Sequence, residues 1–374
     1  MKLFVFGSSL LSCYWNGAAT YYRGIYKYLH RLGHEITFAE PDIYQRWEHR
    51  DLDEVEYARV IRYRSPEGLG EMLRWARDAD AVIKHSGIGD ADDWLEGHVP
   101  ECRGGGGVPR IVYWDVDAPA TLARLRAEPE CALARRLPDY DLVFTYGGGG
   151  AVEREYRRLG ARACHNIYNG LDPETHFPVR VGERERADLL FTGHRLPDRE
   201  ERVEDIFLAA ARMLPHRNFV LGGLGWGDRE LPRNVRWLGH VSSRDHNRLN
   251  CSADWVLNIN RNSMAHTGYS PPTRIFEAAG AGAAVITDLW PGIADFFSPG
   301  NEIMTAANAL ELVRIVERTS PDDRRALGLA MRQRALREHS YEVRARQADR
   351  ILSGGFLAAR QIMNPKPAPV EAVS

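Results

Sequence analysis

Residues Ser270 to Asp288 read "SPPTRIFEAAGAGAAVITD", an apolar segment of small residues interrupted by Arg274 and Glu277. Pro271 and Pro272 suit a first helical turn, Ser270 can cap it, and Gly280 and Gly282 end it before an apolar strand, Ala283 to Thr287. That strand carries no polar alternation, which predicts burial on both faces, as in a parallel sheet. Arg274 and Glu277 are three apart and share one helix face. A carboxylate on a helix packed against such a sheet is costly unless something hydrogen-bonds it. Either the protein supplies that partner or a ligand does.

Outward from this segment the chain repeats strand and helix in two series. The first half opens with a strand at Leu3–Phe6, a loop "GSSLLSCYWNGAAT", a helix around Tyr21–Leu32 and a strand at Glu35–Ala39. This is a βαβ order, which implies parallel pairing and a right-handed crossover. Further strands are expected at Ala81–Lys84, Arg110–Trp114 and Leu142–Thr145. The turn-rich "IYNGLDPETHFPV", Ile167 to Val179, breaks the pattern and reads as the exit into a linker. A second series follows, with strands at Asp188–Thr192, Asn218–Leu221, Val235–Leu238, Trp255–Ile259 and Ala283–Thr287. The fold class is therefore α/β, two facing Rossmann-like domains, each a parallel sheet flanked by helices. The expected boundaries are 1–172 for the acceptor-side domain, 173–186 for the linker and 187–340 for the donor domain. A C-terminal helix, 341–360, is expected to pack across the domain junction, and 361–374 to be a disordered tail.

Composition narrows the function classes. A chain of 374 residues suits two domains. A formal net charge of −2 gives no general attraction to nucleic acid or an anionic membrane, so any polyanion site must be local. Cys13, Cys102, Cys131, Cys164 and Cys251 are scattered and form no CxxC pair, which fits a reducing cytoplasm and argues against zinc or a disulfide framework. No stretch approaches a transmembrane span.

In open α/β sheets, ligands bind beyond the carboxyl ends of the strands. In the second half those loops are "FTGHRLPDRE", with Gly193, Arg195 and Arg199, then "VLGGLGWGD", "WLGHVSSRDHN" with His240 and His246, and "NINRNSMAHTGYS" with Gly268, Tyr269 and Ser270. Glycines allow close backbone approach, arginines suit phosphate, and helix N-termini favour negative charge. Of two glycine runs, Gly104 to Gly107 reads as a surface loop, while Gly147 to Gly150 follows a strand and stays open.

The two halves resemble the GT-B glycosyltransferase fold, and the motifs "YWNGAATYYRGI", "YWDVDAP", "IYNGLDP", "HRLPDREERVEDIF", "RDHN" and "SPPTRIFEAAGAGA" resemble the CgeB-like glycosyltransferases, named for a spore-maturation protein. The resemblance implies that Glu277 hydrogen-bonds the ribose of a nucleotide-sugar donor, with Thr273, Ser270, Tyr269 and Gly268 in the same motif. Many retaining relatives carry a second glutamate where this chain has Tyr269, which leaves stereochemistry open. It also implies that Arg195 grips the diphosphate, with Arg199 standing where relatives have a lysine and Arg274 as a further cation. Gly193 and His240 belong to the same donor loops, and Asn16 and Gly17 to a loop that approaches the donor phosphate across the cleft. Asp115 and Asp117, in "YWDVDAPAT", lie where an acceptor belongs and are the candidate catalytic carboxylates.

The expectation is a cytoplasmic bacterial glycosyltransferase that uses a UDP-, GDP-, ADP- or dTDP-sugar and an unidentified acceptor, with no cofactor, no metal and no nucleic-acid partner. The second half has no DxD-type carboxylate pair, which fits leaving-group stabilisation by arginines. The alternatives are an epimerase or phosphorylase on the same fold, or a catalytically silent surface-layer or spore assembly protein.

Overall fold

The computed structural model describes residues 1–14, 16–63, 68–87 and 90–363. Its first sheet contains β1 (Lys2–Phe6), β2 (Glu35–Pro41), β3 (Arg59–Tyr63), β4 (Ala81–His85), β5 (Arg110–Asp115), β6 (Leu142–Thr145) and β7 (Cys164–Asn166), in the order β3-β2-β1-β4-β5-β6-β7. Its second contains β8 (Ala187–Thr192), β9 (Phe219–Gly222), β10 (Val235–Trp237), β11 (Ala253–Asn258), β12 (Ala284–Thr287) and β13 (Met304–Thr305), in the order β10-β9-β8-β11-β12-β13. Neighbouring strands are parallel; Leu3 pairs with both Ile36 and Ala81, and Leu190 with both Val220 and Val256.

The central strands are apolar throughout because each feeds two cores. Leu3 and Val5 enter one first-domain core while Phe4 and Phe6 enter the other. In β8, Leu189 and Phe191 face one way and Leu190 the other. Side chains alternate across a strand, so burial on both sheet faces demands an unbroken apolar run. The strands that sequence reading omitted are β3, β7 and β13, all at sheet edges. β3 is "RVIRY", with polar ends, and β7 and β13 are three and two residues long.

Helix α1 (Ala19–Arg31) buries Tyr21, Tyr22, Ile25, Tyr26 and Leu29 against the first sheet. Helix α2 (Ala118–Ala127) follows β5 and α3 (Gly149–Arg158) follows β6. In the second domain α4 (Ser243–Ser252) and α5 (Thr273–Ala281) lie on either side of β11 in sequence. The last helix, α6 (Tyr341–Met363), leaves the second domain and returns to the first: Tyr341, Ala345, Ala348 and Leu352 join the core that holds α1. Gly24 makes this crossing possible, since a Cβ there would lie 2.2 Å from the Tyr341 ring. The helix extends through Met363, beyond the expected boundary at 360, and 364–374 of the expected tail lies outside the described residues.

The expected Ser270 cap is corrected. Pro272 occupies the cap position of α5, with φ −73° and ψ 151°, and Ser270 Oγ donates to the Gly268 carbonyl at 3.0 Å. Ser270 stands three residues ahead of the first helical residue, too far back for its hydroxyl to reach the free amides. Gly282 ends the helix as expected, in the left-handed region at φ 75°.

Candidate functional site

Each sheet reverses its strand order once, between β1 and β4 and between β8 and β11. A crevice opens beyond the carboxyl ends of the strands at such a switch point. Arg274 spans the one in the second domain: its Nε donates to Thr192 Oγ1 at the end of β8, at 3.3 Å, and its Nη1 to Asn258 Oδ1 at the end of β11, at 2.7 Å. Arg199 lies beside it, and the two guanidiniums approach one Phe191 ring at 5.7 and 5.3 Å from its centroid. Gly193 has no side chain because the Arg199 guanidinium takes that space; a Cβ would meet Arg199 Nη2 at 2.9 Å. Burial first, and the charge of Arg274 second, hold Arg199 below the ordinary guanidinium value. Burial also lowers Arg274. Among the described residues, neither guanidinium forms an ion pair with a carboxylate; their hydrogen bonds go to neutral oxygens. The nearby His194 is neutral: Leu224 N–H donates to its Nδ1 at 3.0 Å, and burial with the Arg199 charge pushes it down to about 4.

Arg195 differs from the expectation. Its guanidinium pairs with Asp228 and Glu200, both at 2.8 Å, so two carboxylates on its own surface offset its charge. Of the three arginines expected to hold the diphosphate, Arg199 and Arg274 are the ones without an ion pair among the described residues.

Glu277 lies one turn along α5 from Arg274 and is 7% exposed. Burial works to raise its carboxyl, but His176, His246 and Arg274 outweigh it and bring it down to about 2. The protein therefore supplies charge partners. His246 Nδ1 stands 3.6 Å from Glu277 Oε2, beyond hydrogen-bond length. The carboxylate is kept ionised by neighbours of which His246 makes only a long contact. His176, from the linker, was not singled out by sequence reading; it sits in a turn segment that gives no sign of which way its ring points. His176, His246 and Glu277 bring their ligand-type atoms within 4.8 Å of one another.

The segment before α5 is built against the first domain. Tyr269 adopts φ 47° and its carbonyl accepts from Gly148 N–H at 2.9 Å. A Cβ on Gly147 would lie 2.6 Å from Ser270 Oγ, and one on Gly149 2.8 Å from the Tyr269 ring. This explains the glycine run left open in the sequence: it lets the Gly268–Ser270 turn close onto the first sheet. Gly268, at φ 70°, is packed on Pro291. Asn169, at the exit from the first domain, accepts from Thr273 Oγ1 at 3.1 Å and donates to the Pro271 carbonyl at 3.0 Å.

Two expected residues, Asn16 and Asp115, have their side chains engaged within the protein. Asn16 spends its side chain inside its own loop, donating to the Ser9 and Ser12 carbonyls at 2.9 Å and accepting from Ser8 Oγ at 2.9 Å. What it leaves toward a ligand is the backbone of exposed Gly17, where nothing lies within 4 Å of a built Cβ. His240 is exposed and borders a cleft of about 500 Å³ between the domains, lined with Tyr14, His49, Arg50, Asp51, Ser242 and Arg244. Asp115 is fully buried: Oδ1 accepts from Asp117 N–H at 2.9 Å and Thr121 Oγ1 at 3.0 Å, and Oδ2 from the Tyr156 hydroxyl at 2.6 Å. A carboxylate so enclosed fastens the start of α2 and cannot meet an acceptor. Asp117 is half exposed and reaches the other domain, where Arg261 holds its Oδ2 at 3.0 Å and Asp198 at 3.0 Å.

Residues 199–350 match the family described as glycosyl transferase-like. No curated protein matches the chain. Among solved structures, HepE from Anabaena in complex with UDP and glucose aligns with a TM-score of 0.68 and 14% identity over 95% of this chain and 100% of that one. Sucrose-phosphate synthase from Thermosynechococcus elongatus aligns with a TM-score of 0.67 and 15% identity over 96% and 100%. An alpha-glucosyltransferase in complex with UDP and a 13-mer DNA containing a HMU base aligns at 0.65 and 11% over 94% and 99%. The chain has the GT-B fold of two facing parallel-sheet domains, and its second half carries a glycosyltransferase-like domain.

Proposed function

We propose that this chain is a glycosyltransferase that moves a sugar from a nucleotide diphosphate sugar to an acceptor nucleophile, with no obligatory metal. The observation that carries the reading is the Arg199 and Arg274 pair at the switch point of the second sheet, neither of which is ion-paired to a carboxylate among the described residues. When the glycosidic bond breaks, negative charge builds on the diphosphate leaving group, and two positioned guanidiniums stabilise it as it forms. Arg274 is fixed by Thr192 and Asn258 before the ligand arrives, so little reorganisation is needed.

Glu277 is the residue proposed to accept from the ribose hydroxyls, since it is held ionised and its one ion-pair contact, with His246, is long at 3.6 Å. On the first-domain side Asp117, which Arg261 ties to the second domain, is the carboxylate proposed to hold or deprotonate the acceptor, and exposed Gly17 is the backbone proposed to approach the donor. Solved structures of this fold contain UDP or UDP-glucose, which makes uridine the first base to try. The quoted motifs support a CgeB-like bacterial enzyme of the cytoplasm. No helix among the described residues is long and apolar enough to cross a membrane.

Calorimetry with uridine, guanosine, adenosine and thymidine diphosphates tests the reading. One of them is expected to bind, with the same affinity in EDTA. No binding by any of the four removes the donor site, and strict metal dependence removes the electrostatic account.

A further inference from the structure

We propose that His176, His246 and Glu277 form a binding site for a borderline divalent cation such as Zn²⁺, and that this cation and the donor nucleotide exclude one another. The cation site stands on geometry alone, whereas the exclusion rests on the proposed contact between Glu277 and ribose.

The three ligands come from three elements: His176 from the interdomain linker, His246 from α4 and Glu277 from α5. Their ligand-type atoms lie within 4.8 Å of one another, and His246 Nδ1 is 3.6 Å from Glu277 Oε2. That is too long for a hydrogen bond. Bonds of 2.0–2.1 Å in a tetrahedral zinc site imply ligand atoms about 3.3 Å apart, so the separations need to contract by at most about 1.5 Å.

His176 is prepared for this role. Its ring is 5% exposed, its Nδ1 lies 2.9 Å from Thr175 Oγ1, and its Nε2 is buried with no hydrogen-bond partner. A hydroxyl that accepts from Nδ1–H fixes the tautomer in which Nε2 carries the free lone pair, and ligating histidines are held in this way. Two imidazoles and one carboxylate suit Zn²⁺, Ni²⁺ or Cu²⁺ and disfavour Mg²⁺ and Ca²⁺, which take oxygen ligands. His246 is 28% exposed in its side chain, which leaves a fourth position open to water. Arg274 on the same helix keeps its charge, which opposes a cation, but its guanidinium is held toward Thr192 and Asn258. A cation here occupies the Glu277 oxygens that the ribose hydroxyls need and ties the linker to α4 and α5.

The test uses the full chain, stripped of metal and titrated with ZnCl₂, together with anomalous diffraction at the zinc edge from zinc-soaked crystals. The expected results are an anomalous peak among the three side chains and zinc affinity at least tenfold weaker in His176→Ala and in His246→Ala. Zinc held at about ten times its dissociation constant weakens nucleotide diphosphate binding about tenfold, as two exclusive ligands require. No peak at the cluster, or unchanged zinc affinity in both variants, overturns the cation site; the diffraction result on the unaltered chain decides if a variant fails to fold. A peak at the cluster with nucleotide affinity unaffected by zinc overturns the exclusion and the ribose role of Glu277. Absence of nucleotide binding by the zinc-free chain defeats the proposed function instead, and leaves the cation site standing.

Discussion

The carboxyl ends of the two sheets treat their buried charged groups differently. In the first domain they are consumed by one another: Lys84 pairs with Asp92, the Tyr26 hydroxyl and His85 Nε2 are 2.6 Å apart, and Asp115 accepts three hydrogen bonds. In the second, Arg199 and Arg274 lie together and neither forms an ion pair with a carboxylate among the described residues, while Glu277 is kept ionised by His176, His246 and Arg274. Burying like charges side by side is costly, and a fold retains such a cost where something outside the protein relieves it. Burial alone therefore does not mark a functional group. Asp115 is the more buried of the two carboxylates, and it is the structural one.

The contrast is broken most severely by removing both guanidiniums. Each charge-assisted contact is worth roughly 1.5–3 kcal/mol, so Arg199→Ala or Arg274→Ala is expected to weaken nucleotide diphosphate binding about tenfold to a hundredfold. The double variant loses more, though less than the product, because the two share one ligand. Calorimetry with diphosphate and with free nucleoside checks this, and equal losses for both ligands show an effect through folding. Glu277→Gln keeps the shape but exchanges an acceptor oxygen for a donor, and is expected to weaken donor binding about tenfold or more. A 2'-deoxy nucleotide then loses less on the variant than on the wild type. Simple addition of the two losses assigns Glu277 to the protein's own electrostatics.

In the first domain the expected effect shifts from binding to stability. Asp115→Asn leaves one of its donors facing an amide N–H and is expected to cost about 1–3 kcal/mol of stability, read as a lower melting temperature, with diphosphate affinity unchanged. A large loss of affinity in a folded Asp115→Asn chain contradicts its structural assignment. The smallest effect belongs to Arg195→Ala, whose guanidinium is already neutralised by Asp228 and Glu200; diphosphate affinity should change less than about twofold, as for an exposed ion pair.

The architecture was largely legible because parallel strands leave an unmistakable trace, an apolar run with no alternation. Nine of the ten strands read from sequence begin within a residue of the observed start, and only Ala253–Asn258 begins two residues earlier. The edge strands β3, β7 and β13 escaped because an edge is short or half polar. Glu277 and Arg274 were legible as misfits, charged residues on a helix that should be smooth. Arg195 and Arg199 were not separable, since both follow β8 and the choice between them depends on Asp228, thirty-three residues away. Asp115 and Asp117 pose the same difficulty: one lies in the core and the other pairs with Arg261 of the second domain, and only the position of Tyr156 shows which is locked. His176 gave no signal because nothing in a turn fixes the direction of its ring.

The most direct measurement is the ratio of nucleoside diphosphate to free nucleoside affinity, by calorimetry in EDTA, on wild type, Arg199→Ala and Arg195→Ala. The account predicts that the ratio falls at least tenfold in Arg199→Ala and stays within about twofold of wild type in Arg195→Ala. A ratio that falls in Arg195→Ala and holds in Arg199→Ala contradicts it, and moves the diphosphate from the switch point to the surface.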